Sequence, residues 1–378
     1  MNTTSLRRAI VPGVAALALA ASLAACGSSD DTVSASGDSS STASTGGAAS
    51  GLSGKVAAGG SSAQETAQES WRSGFGATNP DVTISYDAVG SGDGRANFIS
   101  GAYAFAGSDS AMSEDELAQA KSKCGGDVIE VPAFISPIDV FYNLPGVKDL
   151  QLSPATVAGI FTGKITTWND KAIAADNPSV KLPSTKITPV HRSDSSGTTD
   201  NFTDWLNKTA PKVWTWEHSS DWPTQVKGGE SAEKTSGVTD TVSGTEGMIG
   251  YADDSGVHGL KGVGVAKIKV GDSYVAPSAD GAAAGLAASK TVSGAPATVL
   301  AYDINRTTTD PSTYPVFMAS YLIACPTYDD QATADIVKGF LTYAVSEQGQ
   351  KAAAANAFSA PLPADISAKA TQAISTIS

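Results

Sequence analysis

An α/β chain organised as two lobes is the fold class this sequence predicts, and three observations predict it. Short apolar β-type runs alternate with helical patterns along the body of the chain, the order expected when helices cover a sheet. That body, from about Lys55 to Ser378, is longer than one hydrophobic core usually serves. Several strand-like runs also end in Gly and Ser just where a helical pattern starts, and strand carboxyl ends are where α/β sheets gather ligands.

The first residues read as a secretory leader. Arg7 and Arg8 supply the charged start, "AIVPGVAALALAASLAA" the apolar stretch, and no apolar run of membrane-spanning length follows. The leader ends in "LAAC", which resembles a bacterial lipoprotein signal in which cleavage exposes a cysteine, here Cys26, for acylation. Residues 26–53 are almost all Ser, Gly, Ala, Thr and Asp, too poor in apolar side chains to offset the entropy of ordering, and are expected to form a flexible tether.

In the body, "KVAAGG" reads as a strand, followed by a helix over "SSAQETAQESWRSGF" with Ser62 as N-cap and Glu65 completing a capping box. "DVTISYDAV" is a second strand, and "GSGDGRANFISG" turns from it into a short helix. "YAFAGSDS" is a third strand ending at Asp109; "SEDELAQAKSK" is a helix opened by Ser113 and Glu116. "DVIEVPAF" and "PIDVFYNL" read as two apolar strands carrying the chain between lobes. "SPATVAGIFTGKITTWND" reads as one helix capped by Ser153 with Pro154 in its first turn. "ITPVHRSD" is a strand running into a helix over "NFTDWLNK"; "GMIGYAD" and "PVFMASYLIACPT" are strands, and "ATADIVKGFLTYAVS" is a late amphipathic helix. The return crossing is placed near "VSGAPATVLAYDINR". The expected division is 1–25 leader, 26–53 tether, 54–135 with 303–378 as lobe I, and 136–302 as lobe II.

A net charge of −13 disfavours nucleic acid as a partner. It does not exclude an anion, since a buried site works through short hydrogen bonds and one local cation while distant surface charge is screened beyond about 10 Å. Three histidines, with no CxxC or HExxH spacing, argue against a metal site, and no cofactor is implied. With Cys26 set aside, Cys124 and Cys325 remain, and an oxidising compartment permits a disulfide between them.

Three strand-to-helix junctions carry the chemistry: "GGSSAQ", "GSGDGR" and "HRSDSSGTTD". Each offers free backbone N–H groups and the positive end of a helix dipole, which together suit an oxyanion. Singly, each is also what an ordinary capped helix looks like. Arg192 adds a planar fork of donors, with Asp194 two residues on to brace it.

These pieces, with "AFAGSDSAMSEDELA", "VFYNLPGVKDLQLSPATVAGIFTGKITTWNDKAIAADNPSVKLP" and "GMIGYAD", resemble the PstS family, the phosphate-binding lipoproteins of bacterial phosphate ABC transporters, over most of the body. The resemblance implies a two-lobed periplasmic-binding-protein fold (type II) closing on one phosphate. By position it implies ligand contacts from Ser62, the Ala63 N–H, Ser91, Asp109, Arg192, Ser196, Gly197 and Thr198. It also implies membrane permease subunits as partners, a lipid anchor on the outer face of the cell membrane, and a monomer without catalytic residues. Asp109 then gains a reason: a carboxylate only accepts, so it suits phosphate, which keeps an O–H, and disfavours sulfate, which has none. The chain departs from the family at "SSAQ", where many relatives carry Thr, a bulky residue and Pro, and the loop after Trp222 fits loosely.

Other readings remain open at this level. An exported ester or phosphoester hydrolase would use a Ser near His191, although no G-x-S-x-G elbow occurs. The same fold could hold another oxyanion, or serve adhesion or sensing without transport. Trp205, Trp214, Trp216 and Trp222 are expected in the core or at the cleft rim rather than as a sugar platform.

Overall fold

The structure, a computed structural model, describes residues 51–378. The expected leader, Cys26 and the tether as far as residue 50 lie outside the described residues. The strands are β1 (Gly54–Gly60), β2 (Val82–Asp87), β3 (Phe105–Ser108), β4 (Ile129–Tyr142), β5 (Gln151–Leu152), β6 (Thr188–Arg192), β7 (Glu230–Ala232), β8 (Met248–Asp253), β9 (Gly264–Val265), β10 (Lys267–Val270), β11 (Ser273–Val275), β12 (Lys290–Thr291), β13 (Tyr302–Asp303) and β14 (Phe317–Ala324). The helices are α1 (Glu65–Gly76), α2 (Ser91–Ser100), α3 (Glu114–Lys123), α4 (Pro154–Phe161), α5 (Lys171–Asp176), α6 (Gly197–Thr209), α7 (Lys234–Gly244), α8 (Asp254–Val257), α9 (Ala279–Ala287), α10 (Gln331–Val345), α11 (Glu347–Ala357) and α12 (Ala364–Ser375).

Nine strands form one curled sheet in the order β2-β1-β3-β14-β4-β8-β6-β7, with β9 also on β4. Parallel pairs β1–β2, β1–β3 and β6–β8 bring strand ends and helix starts to the same side, as a βα repeat requires. β4 is shared by the two lobes: Ile129–Pro137 pairs with β14, and Ile138–Tyr142 pairs with β8. Every residue of β4 and β14 is buried, so both are largely apolar without the in-and-out alternation of a half-exposed strand.

Two expectations change here. The predicted pair of strands over "DVIEVPAF" and "PIDVFYNL" is one strand of 14 residues. Two prolines lie within it: Pro137 falls where β4 exchanges partners and Pro132 beside the register shift opposite Ser320 and Tyr321, the places a sheet tolerates a missing N–H. The predicted long helix from Ser153 starts as expected, with Ser153 accepting from the Thr156 N–H and Pro154 in the first turn, but ends at Phe161. Gly163 follows with φ 71°, and Asp170 caps the separate α5.

Most apolar side chains join one core running through both lobes, and Trp205 and Trp214 are fully enclosed in it while Trp216 and Trp222 pack on its edge. Cys124, at the end of α3, is bonded to Cys325, just past β14, with Cα atoms 5.2 Å apart.

Candidate functional site

The residue after β3, Asp109, lies 2 % exposed between the lobes. Its Oδ1 accepts from the Ser320 hydroxyl at 2.6 Å, and its Oδ2 from Ser61 at 2.7 Å and Thr198 at 3.2 Å. Burial pushes the Asp109 carboxyl above its ordinary range; these hydroxyls and the Arg192 charge oppose the shift without cancelling it. Its backbone is held as firmly, the N–H donating to Ser91 Oγ at 3.1 Å and the carbonyl accepting from Asn201 Nδ2 at 2.7 Å.

Arg192, the last residue of β6, is 3 % exposed. Its Nε donates to Asp194 Oδ1 at 2.7 Å and its Nη2 to Asp194 Oδ2, so two edges of the fork are committed and Nη1 is not drawn into the pair. Burial works against ionising Asp194, but Arg192 and the Lys234 N–H, at 2.9 Å, outweigh it and hold the carboxyl below its usual range. A third buried carboxyl, Asp253, is pushed up to about 6 by burial, against the pull of the Ser255 hydroxyl and with the charge of Asp109 adding to the rise. The charge of Arg192 thus reaches Asp109, and that of Asp109 reaches Asp253, so carboxyls outnumber cations around these residues, an arrangement suited to an anion that brings its own proton.

The helix starts are built as expected at two of the three junctions. Ser196 caps α6, accepting from the Thr199 N–H at 3.2 Å, and Gly197 and Thr198 open the helix. A Cβ on Gly197 would lie 2.7 Å from Asp109 Cβ and 2.8 Å from both Ser110 N and Ser91 Oγ, so only glycine lets the lobes approach this closely. Gly90, at φ 101°, precedes Ser91 at the start of α2, and the Gly92 N–H donates to the Ser195 carbonyl at 3.0 Å across the cleft.

The third junction differs. α1 starts at Glu65, its N-cap position is Gln64, and no side chain caps it, so the expected Ser62–Glu65 capping box does not form. Ser61 Oγ instead accepts from the Ala63 N–H at 3.1 Å and the Gln64 N–H at 3.3 Å, and Ser62 is free to reach the other lobe, where its Oγ accepts from the Thr235 N–H at 3.1 Å. Two adjacent serines thus divide the work that one was expected to do.

Ser61, Ser320, Thr235, Asp253 and Asn201 escaped the sequence reading. Ser320 had a signal, a lone hydroxyl in the otherwise apolar "FMASYLIA", because a buried polar group needs a partner. Thr235 had none: it is the second residue of α7, follows Lys234 at φ 65°, and donates its hydroxyl to Asp253 at 3.1 Å, a contact made by folding rather than by neighbouring letters. His191 stacks on Trp222, ring centroids 4.5 Å apart, with Nδ1 2.9 Å from the Arg192 carbonyl oxygen; burial lowers its pKa. Beside Asp109 and Ser110 lies a cavity of about 250 Å³ whose wall includes Asp200, Asn201, His218 and Arg306.

A model of the PBP superfamily domain matches residues 34–348. The phosphate-binding protein PstS 3 of Mycobacterium leprae is 33% identical over 369 residues, covering 96% of both chains, and PstS 2 of Mycobacterium tuberculosis is 33% identical over 340 residues, covering 87% of this chain and 90% of its own. The chain belongs to the PstS family. Its fold agrees with a high-affinity periplasmic phosphate-binding protein solved with phosphate bound (TM-score 0.66, 25% identity, covering 83% of this chain and 92% of that one). It also agrees in fold with a phosphate-binding protein from Stenotrophomonas maltophilia (TM-score 0.66, 20% identity, covering 84% and 93%). This PstS-family member thus has the two-lobed periplasmic-binding-protein fold, and its named relatives are binding proteins. Among the described residues no helix is long and apolar enough to cross a membrane.

Proposed function

We propose that the chain captures inorganic phosphate between its lobes, outside the cytoplasm, and delivers it to an ABC-type permease. The observation that carries this reading is the buried Asp109 carboxylate set within the field of Arg192 and bonded to Thr198 at the α6 start. Three hydroxyls occupy three of the roughly four acceptor positions of that carboxylate. The remaining capacity meets the phosphate O–H, while Arg192 Nη1 and the N–H groups at the α2 and α6 starts take the charged oxygens. The ligand set is Ser62, Ser91, Asp109, Arg192, Ser196, Gly197 and Thr198, with Asp194 bracing Arg192, and the Ala63 N–H joins it by exchanging its bond to Ser61 Oγ for one to a phosphate oxygen. The membership in the PstS family and the phosphate named for its relatives support the assignment. Calorimetry with phosphate, arsenate, sulfate and molybdate at fixed ionic strength tests it: phosphate binding with sulfate excluded is expected, and absent phosphate heat, or equal affinity for sulfate, overturns it.

Lobe I comprises 54–135 with 303–378, and lobe II 136–302; the exchange of β4 from β14 to β8 after Pro137 supports the first boundary. The mature chain works as a monomer held by acyl groups on Cys26 at the outer face of the membrane. Metabolic fatty-acid labelling is expected to tag the protein but not Cys26→Ser; an unlabelled wild type refutes the anchor.

A further inference from the structure

We propose that Asn201, its amide orientation set by Arg306, is a positioning residue for phosphate capture: it holds the start of α6 against the Asp109 backbone in the closed cleft. The inference rests on the phosphate reading above. Gly197, Asn201, Asp204 and Lys208 are spaced four, three and four along α6 and so share a face. Asn201 is the member of that face that reaches across the cleft with both hydrogens assigned. Its Nδ2 donates to the Gly197 carbonyl at 2.8 Å, within its own helix, and to the Asp109 carbonyl at 2.7 Å, in the other lobe.

An asparagine amide has two possible orientations, and only one suits this place. Arg306, on the segment leading into β14, is 2 % exposed and makes four hydrogen bonds. It donates through Nε to Asp204 at 2.9 Å, through Nη1 to the Pro315 and Phe317 carbonyls at 3.1 and 2.6 Å, and through Nη2 to Asn201 Oδ1 at 2.5 Å. A guanidinium only donates, so the Asn201 oxygen must face it and the NH₂ must face the two carbonyls. The reversed amide would set oxygen against two carbonyl oxygens and NH₂ against a cation.

The consequence falls on the ligand groups. The Asp109 peptide is gripped at its N–H by Ser91 and at its carbonyl by Asn201, which aims its carboxylate. The same side chain holds Gly197 at the separation that its missing Cβ permits. Arg306 joins this grip to β14, the strand that supplies Ser320 to Asp109. Closure on the ligand and the geometry of its carboxylate partner are thereby set by one amide.

The decisive variant is Asn201→Asp, which keeps the shape and the acceptor facing Arg306 but loses both donors; Asn201→Leu removes the amide, and Arg306→Lys keeps the charge without the fork. Stopped-flow and calorimetric phosphate binding on the full mature chain, with ligand-free melting as the control, reads the effect. The expectation is a dissociation rate raised about 10- to 100-fold in Asn201→Asp and Asn201→Leu, from the lost hydrogen bonds to the Asp109 and Gly197 carbonyls, the first of which is left stranded. Association rate should stay near wild type and the ligand-free melting of Asn201→Asp should fall by far less than its phosphate affinity, and Arg306→Lys should show a smaller rise in dissociation rate. Wild-type dissociation rates in both Asn201 variants would overturn the positioning role while leaving the phosphate reading intact. A wild type that binds no phosphate would instead overturn both.

Discussion

Gly197→Ala puts the closed cleft to the test with a single methyl group. The added Cβ would sit 2.7 Å from Asp109 Cβ and 2.8 Å from Ser110 N and Ser91 Oγ, whereas ordinary contact begins near 3.4 Å. Two of those three neighbours are backbone or Cβ atoms and cannot rotate away. The lobes must therefore separate here by about 0.7 Å, the difference between 3.4 and 2.7 Å. That shift takes the Thr198–Asp109 hydrogen bond from 3.2 Å beyond bonding distance and stretches the 2.7 Å Asn201–Asp109 bond. Losing the first, to a carboxylate, costs about 1.5–3 kcal/mol, and weakening the second about 0.5–1 kcal/mol, so phosphate affinity should fall by about 2–4 kcal/mol, or roughly 30- to 1,000-fold. Ligand-free stability should change far less than phosphate affinity, because alanine suits a helix better than glycine and offsets part of the cost of the crowding. Isothermal titration with phosphate, paired with thermal melts, measures both. Gly244→Ala, whose Cβ meets nothing within 4 Å, is the silent control. An affinity for Gly197→Ala within threefold of wild type would refute the tight approach of α6 to Asp109.

Replacing Arg192 with Ala removes the buried cation and strands Asp194, so phosphate binding should weaken by about 3–5 kcal/mol in titrations; near-wild-type affinity would take Arg192 out of the site. Asp109→Asn adds an N–H₂ donor where a carboxylate now only accepts, and competition titrations at fixed ionic strength should show discrimination against sulfate falling more than phosphate affinity. Unchanged exclusion of sulfate would assign selectivity to cavity shape instead. His218 has its pKa raised, first by its hydrogen bond to Asp200 at 2.6 Å, with burial opposing, so its stabilising contribution is complete below the unfolded value near 6.5 and is lost as pH climbs through the higher folded value. Because the side chain is 53% exposed, the effect should stay under about 1 kcal/mol; urea midpoints of wild type and His218→Gln from pH 5.5 to 8.5 that run parallel would rule it out.

Local chemistry made much of this protein legible before any coordinates. The Ser113–Glu116 capping box and the Ser153–Pro154 helix start rest on contacts within three or four residues, and each forms where the pattern places it. The junctions at Ser91 and Ser196 were visible for the same reason, and the PstS resemblance tied them to Asp109 and Arg192. What the sequence could not decide were contacts between residues far apart in the chain. Whether "DVIEVPAF" and "PIDVFYNL" are two strands or one depends on β14 and β8, which arrive from opposite sides to pair with successive parts of β4. Ser62 looked like a cap because a cap is the local use of a serine there, but its hydroxyl is drawn to Thr235, 173 residues away, and Ser61 takes the local N–H groups. Ser320 reaches Asp109 across 211 positions and Asn201 reaches it across 92. Short-range hydrogen bonds are written in neighbouring letters; the orientation of a buried carboxylate is set by whichever strands and helices closure brings against it, and only the folded chain determines that.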